Sequence, residues 1–142
     1  MPVLLDTDML TILQQEGGPE FERLRRRLDK LAPDDVGTTI VSYQEQVQGW
    51  MAFLNRAKTS RQIVLAFRKL DAIMRFFCRV NVVGLDEEAQ ECFVTLRKQR
   101  VRISTGDLRI ASIALVSGST LISRNLQDFR KVPGLTVEDW TI

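Results

Sequence analysis

The chain contains no histidine. That excludes Ser-His-Asp and Cys-His nucleophilic sites, and every zinc site that needs imidazole. Cysteine is almost as scarce. Cys78 and Cys92 form no CxxC, so neither a structural zinc site nor a disulfide framework follows, and both read as reduced packing residues. No apolar run is longer than a few residues, so no segment is expected to span a membrane. The opening residues, Met1 to Asp6, lack a basic start and a small-residue cleavage site, and do not read as a signal peptide. A cytoplasmic location is the expectation. A strong excess of either charge is missing too: 20 Lys+Arg stand against 18 Asp+Glu, a net +2, so charge alone names no nucleic-acid partner.

What is present is a globular composition, 44% apolar and 27% charged over 142 residues. That suits one domain over residues 1–142. With imidazole absent, any catalysis falls to carboxylates, lysines, hydroxyls or a metal held by oxygen. The basic residues are clustered. Arg23, Arg25, Arg26, Arg27 and Lys30 form one group, Arg97, Lys98, Arg100 and Arg102 a second, and Arg124, Arg130 and Lys131 a third. Each fits a solvated helix face; together they leave RNA or DNA phosphate open as a partner.

Short apolar strands alternate with amphipathic helices. Val3-Leu4-Leu5, Thr38 to Val41, Asn81-Val82-Val83, Thr120 to Ser123 and Leu135-Thr136-Val137 read as strands. Helices are expected from Thr7 or Asp8 to Leu13, from Glu20 to Leu31, from Ser42 to about Ala57 and from Ser60 to Phe77. Two more are expected from Asp86 to about Arg100 and from Ser104 or Thr105 to near Gly118, with a helical turn at Leu126 to Arg130. Ser42 with Glu45 three residues on has the spacing of a capping box. The alternation predicts an α/β fold whose central, mostly parallel sheet has about four to five strands flanked by helices.

In such folds, ligands bind beyond the carboxyl ends of the strands. The acids fall there. Asp6 ends the first strand, Glu45 lies one turn after the second, Asp107 sits in a first helical turn, and Asn125 and Asp128 follow the fourth strand. Singly, each has a plain structural explanation: Asp6 and Asp8 as caps, Glu45 in a capping box, Asp107 on a helix dipole, Asp128 in a solvated turn. Jointly, carboxylates gathered on one rim repel one another and do not all stay ionised. A hard divalent cation resolves the repulsion, and an all-oxygen site suits Mg²⁺ or Mn²⁺.

Four stretches carry a family resemblance. Leu4-Leu5-Asp6-Thr7-Asp8-Met9-Leu10 is like LLDT(N/D)xL, and Ser42-Tyr43-Gln44-Glu45-Gln46-Val47-Gln48-Gly49 is like (S/T)xxExxxG. Ser104 to Ala114 is like xxxDxxIAxxA. Leu121 to Trp140 is like LxTxNxxDFxxVxGLxVxxW, with Ser123 in place of a common Thr. In order and spacing the chain resembles the PIN-domain ribonucleases, specifically the VapC-type toxins of bacterial toxin–antitoxin pairs. The resemblance implies a PIN-like fold and cleavage of RNA with Mg²⁺ or Mn²⁺. By the same resemblance Asp6 and Asp107 are the main metal ligands. Glu45 binds metal or holds the attacking water, and Asp128 is a fourth acid. Thr7, Ser123 and Asn125 support the cluster from behind. Many relatives have Asp at the place of Asn125, which leaves two candidates, Asn125 and Asp128, for completing the cluster. The resemblance also implies a VapB-type antitoxin partner, a homodimer and an RNA substrate such as tRNA or rRNA.

Three other readings compete. A catalytically silent PIN-type module would bind RNA or protein without cleaving. A haloacid-dehalogenase-like phosphatase would use Asp6-Thr7-Asp8 as its DxD. That family wants a hydroxyl where Leu10 stands and an acid where Ala111 stands. A generic α/β core whose acids are all caps leaves the C-terminal block unexplained. Arg124 is a candidate for holding phosphate, and Trp50 and Trp140 for stacking on bases, beside simpler roles as a surface charge and as packing.

Overall fold

Val3, Leu4 and Leu5 are apolar and buried on both sides, so β1 (Val3–Leu5) has to lie mid-sheet. The computed structural model describes residues 2–142; Met1 lies outside it. After β1 come α1 (Thr7–Gln15), α2 (Pro19–Leu28), β2 (Val36–Thr39), α3 (Ile40–Arg56), α4 (Ser60–Phe77) and β3 (Asn81–Val83). The chain continues through α5 (Glu87–Lys98), α6 (Thr105–Ser117), β4 (Thr120–Ile122), α7 (Leu126–Phe129) and β5 (Val137–Glu138). The five strands are parallel and lie in the order β3-β2-β1-β4-β5.

Successive strand residues face opposite sides of the sheet, and this splits the core in two. Leu4 and Leu121 face one side with Val41, Phe93, Leu108, Ala111 and Phe129. Val3, Leu5 and Ile122 face the other with Met9, Leu10, Leu24 and Trp140. Helix α6 is buried nearly all round, through Leu108, Ile110, Ala111, Ser112, Ile113 and Ala114, and is therefore rigidly placed. The α3–α4 hairpin is less covered: Phe67 is 57% and Met74 50% exposed.

The chain starts at the centre, winds outward through β2 and β3, then returns to the other side of β1 for β4 and β5. Its direction reverses between β1 and β4, and the reversal leaves a crevice at their carboxyl ends. Leu5 is in register with both Thr38 and Ile122, so β1 and β4 end level there and β2 ends one residue later, at Thr39.

Several boundaries differ from the sequence expectation. β2 ends at Thr39 rather than Val41, because the Thr39 hydroxyl accepts from the Ser42 N–H and starts α3 early. The capping box proposed at Ser42 and Glu45 is therefore absent, and Glu45 is free for another role. Asp6, not Thr7 or Asp8, caps α1, accepting from Met9 N–H at 2.9 Å. α2 stops at Leu28 rather than Leu31, where bonds from Lys30 N–H to Arg27 and from Leu31 N–H to Leu28 tighten the chain into a turn. α5 ends at Lys98, two residues before Arg100, which takes φ 62°. β5 sits at Val137–Glu138 rather than Leu135 to Val137. Cys92 packs against the core, whereas Cys78 is exposed at the end of α4 and is not a packing residue.

Candidate active site

Each acid arrives at the crevice on a different element. Asp6 is the residue after β1, and its backbone N–H bonds to Ile122 of β4. Glu45 lies in the second turn of α3, and Asp107 in the first turn of α6, where its N–H donates to the Ser104 cap at 3.2 Å. Together with Thr7, Asp8, Thr11, Arg124 and Asn125 they line one open cavity of about 580 Å³.

Polar neighbours hold these carboxylates in place. The Thr7 hydroxyl donates to Glu45 Oε1 at 2.6 Å and lies 3.0 Å from the Ser42 hydroxyl. Thr7 is thus a bridge between α1 and α3. Asn125 donates through Nδ2 to Asp107 at 3.4 Å and to Asp128 at 3.1 Å. Ser123 is fully buried, accepts from Asn125 N–H at 2.9 Å and bonds Asp6. Of the two candidates for completing the cluster, Asn125 lines the cavity. Asp128 stands behind it, paired with Lys131 at 3.2 Å.

Burial and repulsion set the charge state. Burial pushes Asp6 up from its ordinary 3.8 to about 6. The bonds from Ser123 and Met9 N–H oppose this, and the charges of Asp8 and Asp107 add to it. Asp107 is likewise raised, first by burial and then by Glu45 and Asp128, against the lowering bonds of Ser104 and Asn125. Asp128 is half-buried and held below the usual range by its bonds to Asn125 and Lys131, so it stays ionised.

A raised folded-state pKa means that between about pH 4 and about pH 6 the folded chain keeps a proton the unfolded chain has lost. Stability contributed by Asp6 therefore falls as pH rises through that window. In chelator, the melting temperature should rise on going from about pH 7 to about pH 5. Asp6→Asn should flatten the trend. A wild-type melting temperature that only declines toward pH 5 would contradict this origin.

The donor set suits a hard divalent ion: three carboxylates from three elements, two of them pushed up by burial first and by neighbouring acids second, with no imidazole or thiolate. Among the described residues no three acidic or thiol side chains already stand at the spacing of a closed metal cage. Each acid is instead held by its own hydrogen bonds.

Two features went unnoticed in the sequence. One is Gly106. A methyl group there would stand 2.9 Å from Glu45 Cδ and closer still to Oε2, so the glycine makes room for the Glu45 carboxylate. The glycine is visible beside Asp107, but its reason lies on another helix. The other is the use of Arg124. Its guanidinium grips Asp8 with two bonds, at 2.7 and 2.9 Å, and bonds Glu20 as well. Two carboxylates thus neutralise it. The same grip removes Asp8 from a DxD pair, which counts further against the phosphatase reading. The tryptophans stand outside the cavity: Trp140 is buried and carries Arg27 over its ring, and Trp50 packs edge-on to Phe53.

The PIN domain model matches residues 3–135. Ribonuclease VapC1 of Haemophilus influenzae is 29% identical over 148 aligned residues, covering 99% of this chain and 99% of that protein. The tRNA(fMet)-specific endonuclease VapC of Salmonella typhimurium is 30% identical over 77 residues, covering 51% of this chain and 58% of its own. Among solved structures, VapBC-1 from nontypeable Haemophilus influenzae matches with a TM-score of 0.78 at 26% identity, over 100% of both chains. With the family model spanning all but the ends of the chain, and the parallel sheet bringing Asp6, Glu45 and Asp107 to one rim, the chain belongs to the PIN domain family.

Proposed function

We propose that this chain is a metal-dependent endoribonuclease that hydrolyses phosphodiester bonds in RNA, and that it is the toxin of a VapBC-type toxin–antitoxin pair. The observation that carries the proposal is the convergence of Asp6, Glu45 and Asp107 from three elements on one open cavity in a chain without histidine. The names of the relatives, ribonuclease and tRNA-specific endonuclease, support the substrate class. The likeness to VapBC-1 supports a small antitoxin partner.

Asp6 and Asp107 would hold Mg²⁺ or Mn²⁺, with Glu45 of the same cavity as ligand or as acceptor of the water proton. A bound divalent ion supplies Lewis-acid activation of water and neutralises charge on the scissile phosphate. The chain's own residues do the rest. Thr7 fixes the direction of the Glu45 carboxylate, Asn125 orients Asp107 while screening it from Asp128, and Ser123 steadies Asp6. A carboxylate water-acceptor needs no histidine to deprotonate its target, in keeping with the composition.

Purified protein should cleave RNA with Mn²⁺ or Mg²⁺ and stop in EDTA. Cleavage that persists undiminished in chelator would sink the proposal. Expression without the partner should arrest growth and co-expression should relieve it; unimpaired growth alongside soluble, RNA-cleaving protein would remove the toxin role alone.

A further inference from the structure

The three basic clusters have different fates in the fold. In the first, Arg25 pairs with Asp29, Arg27 pairs with Glu138, and Arg23 donates to the Thr141 carbonyl. In the third, Arg124 is taken by Asp8 and Glu20 and Lys131 by Asp128. The second differs. Arg97, Arg100 and Arg102 are exposed and line one cleft of about 620 Å³, and none forms an ion pair with a described residue.

The cleft is built rather than incidental. Arg97 is held by a 2.6 Å bond to the Thr105 hydroxyl and by the Phe93 ring, 5.1 Å from its guanidinium. Arg109 stacks on the same ring at 5.3 Å, and its Nε is buried without a partner among the described residues. Arg100 adopts φ 62°, a left-handed conformation that costs a non-glycine residue energy. Positive charge is thus concentrated at the α5–α6 junction, and the carboxylate on the cleft's wall, Asp128, is paired with Lys131 and with none of these arginines. Planar guanidinium forks match phosphate oxygens.

The cleft also adjoins the acidic cavity. Its wall includes Ser104, the cap over Asp107, and Asp128, the partner of Asn125. We propose that it is an RNA-backbone subsite, holding the phosphates of the strand where it passes from the cleavage position over the α5–α6 loop. The inference rests on the ribonuclease reading and adds where the substrate lies. It also assigns phosphate binding to Arg97, Arg100 and Arg102 rather than to Arg124.

The test uses the full chain and the variants R100Q/R102Q and R100K/R102K, with thermal melts to show that each is folded. Binding of a labelled single-stranded RNA of mixed sequence is measured in chelator across a salt series. Loss of two phosphate contacts should flatten the slope of log K against log salt by about 1.4, taking ~0.7 per contact on a single strand. The lysine pair should keep the slope. With Mn²⁺, R100Q/R102Q should raise KM for long RNA roughly tenfold with kcat unchanged. Turnover of a short oligonucleotide that fills only the acidic cavity should not change. An unaltered salt slope and KM would overturn the subsite. So would intact RNA binding combined with weakened binding of polyglutamate, which would assign the cleft to an acidic protein. If the wild type binds RNA with the expected slope yet cleaves none, the ribonuclease reading fails and the binding site stands.

Discussion

Asp107→Asn is expected to melt at least as high as the wild type in chelator and to lose RNA cleavage entirely. The change is nearly isosteric, so the packing of α6 around Leu108, Ile110 and Ala111 is undisturbed. It removes one negative charge from a site where burial and the charges of Glu45 and Asp128 already disfavour it, so the metal-free protein loses repulsion and not support. A neutral amide oxygen is a poorer ligand for a hard cation than a carboxylate. The loss of activity should exceed the roughly 10–100-fold that removal of even an outer partner of a metal site produces. Were Asp107 only a helix-dipole residue, the change would cost about 0.3–1 kcal/mol of stability and spare activity. Asp6→Asn should behave alike, and it is the cleaner variant in one respect. Asp6 is also the cap of α1, and Asn caps as well as Asp, so the cap survives while the charge is lost. Asp128→Asn should be milder, because Asp128 stands outside the cavity behind Asn125. The measurement pairs melts in chelator with cleavage at saturating Mn²⁺. Near-normal cleavage by Asp107→Asn would remove the assigned centre; equal total loss at Asp128 would change only the ranking.

Gly106→Ala should separate activity from stability in the opposite sense to most substitutions. Gly106 is in the first turn of α6 without a positive φ, a position where alanine relieves the entropy cost of glycine by about 0.4–1 kcal/mol. Yet the new methyl would overlap the Glu45 carboxylate, which is the movable end of its side chain. Glu45 would swing away and surrender its 2.6 Å bond from Thr7. Displacing a reacting group by about an ångström costs roughly 10²-fold in rate. The expected result is a melting temperature unchanged or raised and a kcat lowered by that factor, with KM for RNA little affected. A second change, Glu45→Asp, should recover part of the loss by shortening the displaced side chain. Unchanged kcat in Gly106→Ala would show that Glu45 has no directed role.

Much of this arrangement was legible from residue order. A three-residue apolar run ending in an acid read as a buried parallel strand because nothing polar interrupts Val3-Leu4-Leu5, and a parallel strand needs both faces apolar. Ser60–Phe77 and Asn81–Val83 appeared with their observed bounds because their caps and apolar periods are local. The absence of histidine and the position of Asp6, Glu45 and Asp107 after separate apolar elements pointed to an oxygen-only site. Other features depended on contacts far apart in the chain. Local spacing assigned Glu45 to a capping box with Ser42, whereas Thr39 takes the cap and Thr7, 38 residues before Glu45, claims its carboxylate. Arg124 looked available until the fold set Asp8 and Glu20 against it, 116 and 104 residues away. The three basic clusters were indistinguishable as strings, and only the tertiary structure decided which had been neutralised. Local propensity and capping act over one turn of chain and are written in neighbouring residues. The partner of a charge is chosen by which elements the sheet brings together, and that choice is made only when the chain has folded.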